Sequence, residues 1–333
     1  FNTKLYTGTG SSNAITGVGF QPDFCWVKQR SGTENHFLNN AIQGSTKVLQ
    51  SDTNAAEQTS SNGMTAFGTD GFTVNTDTGF NGNGSTYVSW NWKANGAGSA
   101  NTDGSINTTA TSANTTSGFS ISKYTGTGSN ATVGHGLGAV PKVVLVKGIG
   151  HTSQWYMYHI GTDANGVMLL DGTAAKTTDT VSWQNTTPTS SVFSIGNDGG
   201  TNGSGNTYIA YCFAEKTGFS KFGSYTGNGN ADGPFVYTGF KPSYINLKRT
   251  DNTGHWIMKD WQTPGYNQND YYLWSDASDA ETSASSLGID FLSNGFKLRG
   301  TAGNSNGSGG TFIYMAFAEE PLVASNGTPA TAR

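Results

Sequence analysis

The sequence predicts an all-β protein made of three tandem antiparallel β-sandwich repeats of jelly-roll type, each of about 100 residues. Two observations predict this fold. Five short motifs recur three times in the same order along the 333 residues, which is the signature of repeated structural units. Short apolar runs also alternate with segments rich in Gly, Asn and Ser, and no stretch has the 3.6-residue period of a helix.

The spacing of the motifs divides the chain. The first, second and third blocks cover residues 1–93, 118–216 and 217–320. Residues 94–117, rich in Gly, Ser, Asn and Thr, predict an extended connector. We therefore expect the first block to stand apart, whereas the second and third touch. Residues 321–333 are mostly small or polar and predict a loosely held C-terminal tail.

The first two motifs open each block. The first is rich in turn residues and begins at Tyr6-Thr7-Gly8, Tyr124-Thr125-Gly126 and Tyr225-Thr226-Gly227. The second has a proline six residues before a lysine, as in Pro22 and Lys28, Pro141 and Lys147, and Pro242 and Lys248. Between them nearly every residue is apolar, as in a strand covered on both faces. Since proline is tolerated only where such a strand begins, this motif predicts the central strand of each block.

The next two motifs are predicted strands. The third motif is aromatic, at His36-Phe37-Leu38, Trp155-Tyr156-Met157 and Trp256-Ile257-Met258. The fourth is Gly71-Phe72-Thr73-Val74, Val192-Phe193-Ser194-Ile195 and Gly295-Phe296-Lys297-Leu298. Both are short and rich in residues that favour strands.

The fifth motif pairs a turn with a strand. It begins with Asn-Gly at Asn81, Asn202 and Asn306, and Asn-Gly favours the positive φ angles of a tight hairpin turn. Large side chains occupy every second position of the strand that follows, at Val88, Trp90 and Trp92, at Ile209, Tyr211 and Phe213, and at Ile313, Met315 and Phe317. This alternation predicts one bulky face and one face of mostly smaller groups.

Composition argues against several partner classes. Only 12% of the residues are charged and the formal net charge is −4, so no basic field would hold nucleic acid or anionic lipid. No apolar run approaches the length of a membrane span. The hydrophobic fraction of 34% is low, but 18 Phe, 14 Tyr and 8 Trp favour a folded chain over a disordered one. Cys25 and Cys212 fall in different blocks and are expected to be packed as free thiols.

No recognisable catalytic motif is present, so we expect neither an enzyme nor a cofactor or metal site. His135 within Val133-Gly134-His135-Gly136 is the most tempting catalytic candidate, but the other blocks lack a histidine at that position. Ligand contact is a better hypothesis for aromatic residues in the variable stretches between motifs, where loops are expected. Our candidates are Trp261, Trp274, Tyr271 and Trp183, and core packing is the alternative for each of them.

With these motifs in place, the sequence resembles the tandem-repeat virion proteins of marine bacteriophages and prophages, which are tail-fibre-like or capsid-fibre-like. The similar strings include Ile15-Thr16-Gly17-Val18-Gly19-Phe20-Gln21-Pro22, Ala131-Thr132-Val133-Gly134-His135-Gly136 and Phe235-Val236-Tyr237-Thr238-Gly239-Phe240. The likeness covers essentially the whole chain. It implies a structural role in the particle and no catalytic residues.

The resemblance and the composition together favour a virion surface protein, a fibre or receptor-binding segment. Its expected partners are other virion proteins, further copies of itself, as a homotrimer by analogy with common fibres, and a host surface glycan. A capsid decoration protein and a secreted bacterial adhesin or glycan-binding filament protein are the alternatives. A depolymerase is a third, and it would require two carboxylates about 5–10 Å apart in a groove.

Overall fold

A computed structural model describes residues 1–319. Within these residues the chain forms 27 strands arranged in six sheets, and its three α-helices have four residues each. Every pairing between strands is antiparallel. The predicted all-β class is confirmed. The tail predicted for residues 321–333 lies outside the described part of the chain.

The first block forms a six-stranded sheet of order β1-β9-β3-β4-β5-β6 and a three-stranded sheet of order β2-β8-β7. Its helix α1 (Thr78–Asn81) precedes the last strand. The strands are β1 (Asn2–Thr7), β2 (Asn13–Thr16), β3 (Phe24–Gln29), β4 (Phe37–Asn40), β5 (Gly44–Gln50), β6 (Gln58–Thr59), β7 (Met64–Gly68), β8 (Gly71–Val74) and β9 (Thr86–Trp92).

The second block has a similar arrangement, but its large sheet has one more strand at the edge and its small sheet has two strands instead of three. Its large sheet has the order β10-β11-β18-β13-β14-β15-β16, and β12 pairs with β17. The strands are β10 (Ala110–Asn114), β11 (Phe119–Thr125), β12 (Ala131–Gly134), β13 (Pro141–Gly148), β14 (Trp155–His159), β15 (Gly166–Leu169), β16 (Thr177–Thr178), β17 (Val192–Ile195) and β18 (Thr207–Ala214). A 3₁₀ helix covers Ile160–Thr162, and α2 covers Gly199–Asn202.

Strand β10 comes from the segment that the sequence predicts to be an extended connector. All five of its residues pair with β11, and Ile106 forms a parallel bridge with Val133. Ile106 is buried in the core of the second block. Residues 94–117 therefore differ from the prediction, because their one large apolar side chain and the backbone of β10 pack onto that block.

The third block repeats the order of the first. Its sheets are β19-β27-β21-β22-β23-β24 and β20-β26-β25. The strands are β19 (Ser220–Thr226), β20 (Phe235–Tyr237), β21 (Tyr244–Arg249), β22 (Ile257–Asp260), β23 (Tyr271–Trp274), β24 (Thr282–Ser283), β25 (Ile289–Leu292), β26 (Gly295–Leu298) and β27 (Thr311–Phe317). A 3₁₀ helix covers Ser285–Leu287, and α3 covers Gly303–Asn306.

One hydrophobic core is shared by all three large sheets. The bulky alternating face of β9, β18 and β27 points into it, while the intervening residues face a separate core in each block. At its centre Trp92, Phe213 and Phe317, equivalent by motif, contact one another with ring centroids 5.5–6.3 Å apart. The expectation that the first block stands apart is therefore wrong, because its aromatic face is buried by the other two.

Equivalent hydrogen bonds close the contact, or seam, between each pair of blocks. In every seam a backbone N–H of one block donates to a backbone carbonyl of the neighbouring block. The accepting residue lies two positions after the lysine of the second motif, which is Lys28, Lys147 or Lys248. The three bonds join Glu57 to Ile149 at 3.0 Å, Lys176 to Thr250 at 2.8 Å and Glu281 to Arg30 at 2.8 Å. The blocks thus form a closed ring around the shared core.

The Asn-Gly motif has a different physical basis from the one predicted. Asn81 ends helix α1, and Gly82 has φ −55°, whereas the positive φ of this loop falls on Gly84 at 76°. The Asn81 side chain is buried, accepts from the Thr9 N–H at 2.9 Å and donates to the Asn75 carbonyl at 2.7 Å. Asn202 and Asn306 bind equivalent backbone groups. The asparagine recurs because its amide holds the loop to the opening turn of each block.

Candidate functional site

The structure separates the predicted ligand-contact residues. Trp183 is 2% exposed in the core of the second block, where it meets the Tyr158 ring edge-on at 6.3 Å. Its burial supports the packing alternative and leaves no ring face for a ligand. Cys25 and Cys212 are likewise buried as free thiols in two different cores, as expected.

Trp274 and Tyr271 lie on β23 in the third block. The Trp274 ring stacks on His255 at 4.7 Å and contacts Tyr272 at 4.5 Å, so its faces already have partners. Tyr271 is 38% exposed, and its carbonyl accepts from the buried Lys259 ammonium at 2.9 Å. Both residues thus contact other parts of the third block and do not line an open groove.

Trp261 lies in a groove of about 640 Å³ between the first and third blocks. One wall is strand β1, from Asn2 to Leu5, and the other contains Lys241, Trp261 and Gln262. The Lys241 ammonium lies 3.4 Å from the centroid of the Trp261 ring, while Phe291 supports the ring edge-on at 6.0 Å. Of the predicted candidates, Trp261 is the one placed in this groove.

The groove has charged groups of both signs. Lys4 and Lys241 contribute ammonium groups, and Glu319 is the one carboxyl among the lining residues. Glu319 accepts from the Thr3 N–H and from the Gln262 amide, each at 3.0 Å. Partial burial lowers the pKa of Lys241, and the Glu319 carboxylate opposes that shift. The groove is therefore lined by two ammonium donors, while its carboxylate accepts two hydrogen bonds from the protein.

The other two seams are closed at the equivalent place. In them, Asn40 donates to the Tyr211 hydroxyl at 3.0 Å, and His159 lies 3.1 Å from the Tyr314 carbonyl. Asp260 is their counterpart in strand register, but it accepts from Thr263 in its own block at 3.0 Å. Within residues 1–319, Asp260 makes no such bridge to the first block, and the groove lies in this third seam.

One described carboxyl group, that of Glu319, lines the groove. Hydrolysis of a glycosidic bond by paired carboxylates would require a second acidic group in the groove, and the described lining residues include only Glu319. Across residues 1–319, no group of three or more His, Cys, Asp or Glu side chains could hold a metal ion. Within the same range, no helix is long and apolar enough to cross a bilayer. His135 is buried, and its Nδ1 accepts from the Leu137 N–H at 3.2 Å.

Sequence reasoning did not identify Lys4, Lys241 and Glu319 as parts of one site. Lys4 is near the start of the chain, whereas Glu319 is the last residue described. Only the closure of the ring brings them together, and no local motif signals it.

Comparison with known proteins gives one family match. The family described as a domain of unknown function (DUF7483) matches residues 1–321. No curated protein matches the chain significantly.

Proposed function

The chain belongs to the DUF7483 family of domains of unknown function. From its architecture, we propose that it is a bacteriophage virion structural protein. It would be displayed on the particle surface as a fibre or receptor-binding segment. The observation that carries the proposal is the closed ring of three blocks around one aromatic core. It makes a single chain a rigid unit whose surface loops can vary without disturbing the core.

The proposal includes a finer description of the fold. Each block would be a tandem repeat of about 100 residues, a β-sandwich of jelly-roll type. The matching strand orders of the first and third blocks support this description. So does a separate core beside the small sheet of each block.

The proposed partners are other virion proteins and a host surface glycan, which would enter the groove at Trp261. We also propose a homotrimer. Because each chain already buries the inner faces of its large sheets, three copies would associate through their outer surfaces. Light scattering on the purified chain tests this, since a trimer has three times the mass of one chain.

Immunogold electron microscopy tests the location. Antibodies against the chain would be applied to gradient-purified particles of the phage or induced prophage that encodes it. Label on fibres supports the proposal, and even label over the capsid identifies a decoration protein instead. Label on bacterial envelopes with none on particles overturns the virion role and supports an adhesin.

A further inference from the structure

Two aromatic rings are exposed on the outer face of the small sheet in the third block. Phe235 and Tyr237 are 45% and 63% exposed, whereas Val236 between them is buried in the core of the block. Among the strands of residues 1–319, β20 pairs with β26 alone and lies at the edge of its sheet. Alternation along β20 therefore places both rings on the side facing solvent.

Glycines beneath the rings allow them to lie against the backbone. A Cβ added at Gly295 would be 2.9 Å from the Phe235 ring, and one at Gly239 would be 3.6 Å from the Tyr237 hydroxyl. The missing Cβ at Gly295 lets the Phe235 ring rest on the sheet. The exposed fractions of Phe235 and Tyr237 leave part of each ring accessible to a ligand.

Paired charges border the two rings. Lys297 lies opposite Phe235 in the strand register, and so on the same face, and its ammonium is 2.7 Å from the Asp232 carboxylate. Asp290 follows on β25 beside Lys297 and pairs with Arg299 at 2.5 Å. The rim thus presents the Asp232, Lys297 and Arg299 side chains, and the buried Asp290 carboxylate brings its net charge to zero.

The other blocks lack this feature. Strand register places Ala14 and Thr16 at the equivalent positions of the first block, and Thr132 and Gly134 in the second. Since the small sheets form in all three blocks, the scaffold does not require aromatic residues there. Exposed apolar groups that the fold does not require mark interaction sites.

We propose that Phe235 and Tyr237 form a stacking platform for the sugar rings of a neutral saccharide. The apolar face of a pyranose would lie on the aromatic rings, and its hydroxyls, which both donate and accept, would bond to the charged rim. Two half-exposed rings offer far less than the about 800 Å² that each partner buries in a stable protein interface. This site shares no residue with the groove at Trp261 and rests on the proposed receptor-binding role.

Affinity electrophoresis tests the platform. The full chain would migrate through native gels containing laminarin, dextran or mannan, with alginate as the acidic comparison. We expect at least one neutral polysaccharide to retard the chain. The double variant Phe235→Ala/Tyr237→Ala should bind at least about tenfold more weakly. Tyr266→Ala is the matched control, because Tyr266 is 60% exposed in the same block but lies outside the platform.

Equal migration of wild type and double variant in every gel would overturn the proposal, as would retardation by alginate alone. Circular dichroism of both variants checks that the fold is retained. The particle labelling is independent of this result. If the gels show no binding but gold labels the fibres, the platform is wrong and the virion role stands. If a polysaccharide retards the chain but gold is absent from particles, the chain binds glycans as an adhesin and the virion role is wrong.

Discussion

Arg30 and Glu281 form a bidentate ion pair between the first and third blocks. The Arg30 Nε and Nη2 donate to the two carboxylate oxygens at 2.9 and 2.7 Å, although the residues are 251 positions apart in sequence. The side chains are 20% and 11% exposed, and the Glu281 N–H donates to the Arg30 carbonyl. This contact fastens the seam between the first and third blocks.

Glu281→Gln should destabilise the protein, because it removes the carboxylate that pairs with the partly buried Arg30 guanidinium. Breaking a fully buried ion pair costs more than breaking one on the surface, and this pair is intermediate in burial. We therefore expect the free energy of unfolding, measured by chemical denaturation, to fall by about 2 kcal/mol. Asp163→Asn is the control, since Asp163 is 77% exposed in its ion pair with Lys176. Equal losses in the two variants would show that the Arg30 pair does not fasten the ring.

Asn81→Ala should be more damaging than its position in a loop suggests. The Thr9 N–H then loses its hydrogen-bond acceptor and the Asn75 carbonyl loses its donor. These two losses should lower the free energy of unfolding by about 2–4 kcal/mol. Asn83→Ala changes an exposed residue of the same loop and should be nearly neutral. If both variants unfold at the same denaturant concentration, the loop is held by its backbone and not by the amide.

Acid should weaken the seam between the second and third blocks through His159. Burial lowers the pKa of His159 to about 4, below the value of about 6.5 expected in the unfolded chain. Between these values the unfolded state binds a proton that the folded state does not, so stability falls as the pH decreases from 6.5 to 4. The full loss is about 3 kcal/mol.

His159→Gln removes this titration, since Gln cannot take up the proton. Its free energy of unfolding, measured by denaturation at several pH values, should therefore change less between pH 6.5 and 4 than that of the wild type. Parallel curves for the two proteins would contradict the assignment, whatever the absolute stability of the variant.

Trp261→Ala should weaken attachment of the purified chain to host cells by at least about tenfold, or about 1.4 kcal/mol, if the groove contacts the receptor. Lys241→Ala should act in the same direction, because Lys241 caps the Trp261 ring. Tyr271→Ala alters an exposed tyrosine outside the groove lining and should bind normally. A flow-cytometric binding curve with labelled protein measures all three. Loss of binding in Tyr271→Ala alone would place the contact on β23.

Much of the fold could be predicted from local patterns. The alternation of Val88, Trp90 and Trp92 separates one face of β9 from the other, and the apolar run before Lys28 predicts an interior strand; both are confirmed. The same pattern could not show that the bulky faces of all three blocks meet, because alternation reveals that a face is buried and not what covers it.

The candidate site was less predictable for a related reason. Trp183 and Trp261 both lie in variable stretches, yet one is in a core and the other borders a groove. Composition does not distinguish them, since an aromatic side chain suits both environments. The partners of Trp261 come from distant parts of the chain, so only the tertiary structure identifies the groove.

Competition for host adsorption tests the central claim most directly. Particles of the encoding phage would be mixed with host cells and increasing amounts of the purified chain, and unadsorbed infectious particles would be counted. If the chain is the receptor-binding segment, it should occupy the receptor and reduce adsorption in proportion to its binding, and Trp261→Ala should compete poorly. Adsorption that stays unchanged while the chain is in large excess would contradict a receptor-binding role.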